Sequence, residues 1–391
     1  MDLKRALELF GPAWIAMIAD VDAASVITAV ATGEKYGYGL IWFLLLLTVP
    51  LFLIQNVAGR VGIAGRGRGL GELIREHFGP RWALAAALPM FLVDMFSYAV
   101  EFTGISVGAL LMGLPRTPVL LAVYLFALFA VVGRHYKEAE RYILPATLLA
   151  PLAFIAEAIV RGYDPSPLFY ISTDREFLFF LAANIGAVVM PFMVFYQASA
   201  TSAKYADSSG DVKAKASWVA RETLLGAFAS QAIMVAIVVA STGMDGADPL
   251  SPSSLSKALV HVAGPYSPYL FGFGLIAASL LAYVAIALAS SWGAVEAFGV
   301  KSRVVRDLVY ALEPLPALAA LLLVPGGAVT NLALELMAVS PLVLLIPGAL
   351  LGLLARNKTL MGDLTCGRRY CLAYWAVLGL LAAAGAVALI Y

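Results

Sequence analysis

Two carboxylates, Asp20 and Asp22, interrupt an apolar stretch running from Phe10 to Thr32, within the sequence IADVDAAS at 18–25. A carboxylate in hydrocarbon costs roughly 2.5–3.5 kcal/mol on insertion scales, so such acids bind cations, carry protons or pair with a partner. Residues two apart face different sides of a helix. Both acids can therefore line one cavity only where the backbone unwinds. The short side chains of Ala19, Ala23, Ala24 and Ser25 permit close approach there, and Asp and Ser compete for backbone hydrogen bonds. A second suspect stretch is GAVVMPFMVFYQ at 186–197, where Pro191 lacks an N–H and conflicts with the carbonyl of Ala187. The freed carbonyls and the Met190 thioether become available as ligands, the plain alternative being a proline kink with Met190 as core filler.

Further acids in apolar surroundings are Asp94, Glu101, Glu157, Glu313 and Glu335. Glu157 and Glu335 lie near helix ends and are expected to snorkel to the interface; Glu296 is expected at a solvated terminus. His77, His135 and His261 fall in loops or helix ends, which argues against a buried histidine site. No phosphate-binding GxxxxGK[ST], no HExxH and no GxGxxG in a βαβ context is found, so soluble-enzyme chemistry has no foothold. An intramembrane aspartyl enzyme needs two acids sharing a proton across a substrate, and acids two apart on one segment are badly placed for that.

These residues must be held by membrane helices. Of 391 residues 62% are hydrophobic and 13% charged, half the charged fraction of an ordinary soluble domain. With 26 basic against 25 acidic residues, no polyanion partner such as nucleic acid is implied. A spanning helix needs about 20 apolar residues, and eleven candidates follow, at about 10–32, 38–61, 82–113, 117–134, 141–161, 176–200, 217–242, 267–296, 305–325, 330–355 and 370–390. The expectation is an all-α polytopic membrane protein, residues 1–391 forming a single transmembrane domain. With the N-terminus inside, all but Lys35, Arg116, Arg161, Arg175 and Lys257 of the 26 basic residues fall on the cytoplasmic side, and the C-terminus lies outside. The first apolar stretch follows the N-terminus without a cleavage-site pattern and is expected to be retained. Cys366 and Cys371 show neither metal-ligand nor disulfide spacing and are expected to be incidental. Spans 1 and 6 open two five-helix halves, about 10–161 and 176–355, and breaks at corresponding positions of inverted repeats point to a transport site at the midplane.

The sequence also resembles the NRAMP-type divalent-metal transporters. GPAWIAMIADVDAAS and YGYGLIW (36–42) are similar to that family's GPG[WF] start, DPGN break and FGY..LW motif; AVVMPF resembles A-x-x-M-P-H. GLIAASLLAY (274–283), AVEAFG (294–299) and LMGDL (360–364) resemble its span 8 and post-span 10 motifs. The resemblance implies a leucine-transporter-like 5+5 inverted repeat with broken spans 1 and 6, an eleventh helix, and an ion between the breaks. It places Asp22 and Met190 as side-chain ligands, Ala19 and Ala187 as carbonyl ligands, and Glu101 as a counterpart of a span 3 glutamate. Ser25 stands where the family has Asn, reaching the ion through water, and Asp20 is an additional acid. Phe192 replaces a histidine and Tyr98 an aspartate that serve proton movement, with Asp94 one turn away. Met337 and Ser340 stand at positions often held by glutamine.

The resulting expectation is alternating-access transport of a divalent cation, Mn²⁺-like, with Mg²⁺ as a hydrated ion or an amino-acid or organic-cation substrate as alternatives. A thioether favours a transition ion, whereas loss of Asn and gain of Asp20 suit a harder, wetter one. Proton coupling is expected to be weak or absent, with Glu101, Asp94 and Ser340 as pathway candidates. Beyond the transported metal no cofactor is implied, and beyond the lipid bilayer no obligate protein partner. A prokaryotic inner membrane is the expected location.

Overall fold

The computed structural model describes residues 10–162, 167–208, 210–244, 246–323 and 340–390. Lys4, Arg5, Glu335, Met337 and the first part of the tenth expected span lie outside the described residues. The described residues form helices joined by short turns, with no strand among them. In chain order these are α1 (Pro12–Ala19), α2 (Ala23–Tyr36), α3 (Ile41–Leu46), α4 (Thr48–Gly65), α5 (Leu70–Phe78), α6 (Pro80–Leu111), α7 (Arg116–Val131), α8 (Tyr136–Ile143) and α9 (Leu149–Arg161). The second half holds α10 (Arg175–Val188), α11 (Pro191–Tyr205), α12 (Val212–Ser241), α13 (Pro252–Ala263), α14 (Ser267–Phe298), α15 (Arg303–Leu312), α16 (Leu315–Leu323), α17 (Leu345–Arg356), α18 (Lys358–Met361) and α19 (Arg368–Ile390).

Among the described residues seven helical stretches are long and apolar enough to cross a bilayer, the first being the 43-residue run Ala23–Gly65. The remaining expected spans are broken or shorter, as in the α1–α2 pair and in α7 and α17. The chain is an integral membrane protein. Its outward face carries Leu125, Leu152, Ile159, Phe228 and Leu372, all exposed, as hydrocarbon solvent favours and water does not.

Close crossings rest on small residues, the usual device where lipid supplies no hydrophobic drive between helices. The 32-residue helices α6 and α14 approach so closely that a Cβ added at Gly108 would lie 2.6 Å from the Gly272 carbonyl oxygen. At Gly104 it would lie 2.7 Å from the Ala23 Cβ, which brings α2 against the same crossing. Likewise α4 meets α11 at Gly62, and α12 meets α1 at Gly226.

Loop contacts follow the charge pattern. On the expected outer side, Lys35 pairs with Glu176 at 2.9 Å, the Tyr170 amide donates to the Gly39 carbonyl at 2.9 Å, and Arg161 Nη2 donates to the Thr242 carbonyl at 3.0 Å. On the expected inner side, Lys204 pairs with Glu140 at 2.8 Å, Lys213 with Asp363 at 3.2 Å and Lys301 with Glu72 at 3.4 Å. The exposed pairs add little stability, yet each joins loops that the basic-residue count puts on one side.

Several sequence expectations are corrected. Pro191 is not a mid-helix kink: it stands at the first position of α11, where a missing N–H costs nothing and its φ is pre-set for a helix. Glu157 does not snorkel; it is fully buried and accepts a hydrogen bond from Ser267 Oγ. Glu296 is no solvated terminus, because its Oε2 accepts from the Gly71 amide at 2.9 Å and from Ser199 Oγ at 3.2 Å. Cys366 and Cys371 are joined as a disulfide with Cα atoms 5.7 Å apart. Spacing alone hid this, since the turn that opens α19 is what brings the pair together.

Candidate functional site

Two helix breaks define the site, and they share one local geometry. After α1 ends at Ala19, Asp22 adopts an extended backbone (φ −87°, ψ 177°) and caps α2, its Oδ1 accepting the Ser25 amide at 2.6 Å. After α10 ends at Val188, Met190 adopts an extended backbone (φ −87°, ψ 148°) and precedes Pro191 at the start of α11. Each break thus begins its second half-helix from an extended residue bearing a candidate ligand side chain.

Breaking the helices frees backbone carbonyls. A continuous first helix would direct the Ala23 amide to the Ala19 carbonyl, four residues back; instead that amide donates to Glu101 Oε2 at 3.1 Å. At the other break the residue four after Ala187 is Pro191, which has no N–H to give. The Ala187 carbonyl accepts from Ser25 Oγ at 3.2 Å. Ser25 therefore ties one break to the other.

The side chains are buried and incompletely satisfied. Asp22 is 0% exposed with Oδ2 lacking a protein partner. Asp20, beside it, accepts from Ser230 Oγ of α12 at 2.8 Å through Oδ2, leaving Oδ1 unpaired. Glu101 of α6 uses one oxygen on Ala23 and leaves Oε1 unpaired, close to Asp22 and Ser279. Buried polar atoms without partners are uncommon, and here three carboxylate oxygens with one charge sign lie in one region. Among the described residues no three His, Cys, Asp or Glu side chains gather as a metal cluster. The candidate donors are instead a carboxylate, freed carbonyls and the buried Met190 sulfur.

Asp22, Ser25, Ala187 and Glu101 are brought together by direct bonds or adjacency, and Asp20 and Met190 lie on the same two breaks. Asp94 belongs elsewhere. Asp94 lies buried on α6 near Ser290 and Glu313, and Ser290 Oγ donates to Glu313 Oε1 at 2.7 Å. Ser340 is buried with its hydroxyl unpaired. Phe192 and Tyr98 are fully buried, Tyr98 packing edge-on against Tyr283.

Sequence reasoning missed the residues that hold α1 in place. Glu222 of α12 accepts the Gly11 amide at 2.6 Å and the Trp14 amide at 2.9 Å, satisfying donors that every helix N-terminus leaves open. Lys204, salt-bridged to Glu140, reaches toward the Phe10 carbonyl at 3.5 Å. Glu222 follows Arg221 near the start of span 7, so only its place inside the apolar span could have singled it out.

Two broken helices at matching positions of two halves, with carbonyls and acids turned to a buried centre, define an inverted-repeat membrane transporter. The chain matches the model of the family described as natural resistance-associated macrophage protein-like (Nramp) over residues 13–391, and it belongs to that family. It is 28% identical over 295 residues to the divalent metal cation transporter MntH of Bacillus subtilis, covering 71% of this chain and 68% of that protein. Against MntH of Klebsiella pneumoniae it is 29% identical, covering 73% and 71%. The fold is similar to a manganese transporter of Eremococcus coleocola (TM-score 0.78, 15% identity, 98% of this chain and 86% of that one). It is also similar to MhsT in complex with L-phenylalanine (TM-score 0.62, 15% identity, 97% of each chain).

Proposed function

We propose that this protein carries divalent metal cations, Mn²⁺-like, across a prokaryotic inner membrane by alternating access, the ion binding between the α1–α2 and α10–α11 breaks. Asp22 Oδ2 and the Met190 sulfur are the side-chain ligands, with the Ala19 and Ala187 carbonyls completing the protein's share and water the rest. The single observation that carries this is the buried, unpartnered Oδ2 of Asp22 at a helix break tied to the second break through Ser25 and Ala187. Transport of divalent metal by the MntH relatives supports the same substrate class. The chain works as a carrier rather than an enzyme, as one transmembrane domain of eleven spans, N-terminus cytoplasmic and C-terminus outside.

Ligand softness argues for a transition ion, because a thioether contributes little to Mg²⁺ or Ca²⁺. Mg²⁺ with retained waters is the second reading, favoured by the unpaired oxygen of Asp20 beside Asp22. An amino-acid substrate is disfavoured by a specific feature. In broken-helix amino-acid carriers a half-helix N-terminus meets the substrate carboxylate, and here the carboxylate of Asp22 already caps α2. Calorimetry with Mn²⁺, Mg²⁺, Ca²⁺ and a mixed amino-acid pool on wild type and Asp22→Ala separates these readings. Mn²⁺ heat present in wild type and absent in the variant is expected; an amino-acid response without a metal response would overturn the proposal.

A further inference from the structure

Away from the helix breaks, on the face where most basic residues gather, α8, α11, α14 and the start of α15 enclose a cavity of 510 Å³. Its wall includes His135, Lys137, Lys301, Arg303 and Arg306 against one acid, Asp207. Such a lining repels a dication, so the cavity is no extension of a metal path. Two of its cations are already engaged: Lys301 with Glu72 at 3.4 Å, and Arg306 with Asp307. Arg303 is not. Its Nη1 meets His135 Nε2 at 3.3 Å, while Nε and Nη2 are buried without a partner. That Nε–Nη2 edge is the fork that binds two oxygens of a phosphate or carboxylate side by side.

An apolar groove of 370 Å³ adjoins this cavity and shares Val295 and Val300 with it. Its remaining lining is wholly apolar, with Leu88 and Phe91 from α6, Phe298 from α14, and Val305 and Val309 from α15. Leu88 and Phe298 stand exposed on the hydrocarbon-facing surface. A soluble anion needs only the basic cavity. A groove that is apolar throughout, carries exposed apolar side chains and shares two residues with the cavity holding the unpartnered Nε–Nη2 edge of Arg303 fits a molecule with a phosphate head and an acyl tail.

We propose that this paired cavity and groove bind an anionic phospholipid of the same leaflet, its phosphate on the Nε–Nη2 edge of Arg303 with Lys137 nearby, and one acyl chain along α6, α14 and α15. The site is separate from the helix breaks and independent of which ion the chain carries. The ligand stabilises the contact between the loop before α8 and helix α15, which the Gly133 amide and Asp307 Oδ2 already join at 2.9 Å.

The test is lipid retention by the purified full chain in detergent, read by native mass spectrometry with dioleoylphosphatidylglycerol and dioleoylphosphatidylcholine offered in equal amounts. Wild type is expected to retain phosphatidylglycerol preferentially, with retention falling about tenfold in Arg303→Gln, the loss that follows from one bidentate charge-assisted contact. Val305→Trp, which fills the groove and leaves the basic cavity intact, is expected to lower retention comparably. Should Arg303→Gln not give monodisperse protein, Lys137→Gln at an exposed position is expected to lower retention about fivefold. Equal retention of the two lipids, or unchanged retention in the variant that folds, overturns the proposal. So does displacement of the lipid by millimolar inorganic phosphate together with indifference to Val305→Trp, which marks a free-anion pocket.

Discussion

In the proposed site Asp22 carries two tasks on one carboxylate: Oδ1 holds the start of α2 through the Ser25 amide, and the unpartnered Oδ2 is assigned to the cargo. The Met190 side chain takes no part in the local hydrogen bonding at its break, where α11 starts from Pro191 with no side-chain cap. The thioether is thus free to select. Met190→Ala is expected to weaken Mn²⁺ binding about tenfold while leaving Mg²⁺ nearly unchanged, because only the softer ion gains from sulfur; parallel titrations of the two metals check this, and equal losses would assign Met190 to packing. As a candidate, Asp22 stood out as an acid in an apolar run, whereas the Met190-Pro191 pair stood out only through its correspondence with the first break and the family resemblance. Ser25 was legible only as a departure. Its bond to Ala187 joins residues 162 apart in sequence, and no local pattern encodes such a distance.

At the scale of elements, the half-helix α1 is too short to persist alone, with 8 residues against the 12–15 or so that an isolated helix needs in water. It is held by neighbours: Glu222 caps its N-terminus, Trp14 Nε1 donates to Thr147 Oγ1 at 2.9 Å, and Gly226 admits Met17. Alternating access requires such a segment to move, and these contacts set the cost of moving it. Glu222→Ala is expected to remove about 2 kcal/mol of stabilisation, the scale of hydrogen bonds to a charged acceptor, and to raise amide exchange across 12–19 with little change across 23–36. Uniform exchange in both segments would show α1 to be held by packing instead. The expected spans followed from apolar length alone, whereas Glu222, Glu157 and Glu296 were misjudged or missed because hydropathy counts an acid near a helix end as solvated. Only tertiary structure supplies the partners that bury it.

For the whole molecule, the two breaks meet through Ser25 and Ala187, small-residue crossings bring the long helices together, and the loop contacts join segments that the basic-residue count assigns to one side. Family membership over residues 13–391 fits a chain whose motifs occur in the family's order from the first break to the last span. Phe192 carries no titratable group and Tyr98 is fully buried, and the proposed reading has weak or no proton coupling through them. Metal entry into proteoliposomes is therefore expected to cause no acidification beyond that of empty vesicles, read with an enclosed pH dye; robust metal-driven acidification would locate a proton route through Glu101 or Asp94. The central claim is that the dication rests on Asp22 between the two breaks. Uptake of radiolabelled Mn²⁺ into proteoliposomes bearing Asp22→Ala tests it most directly: the account predicts uptake no higher than in empty liposomes with the variant still folded, and uptake matching the wild type would contradict it.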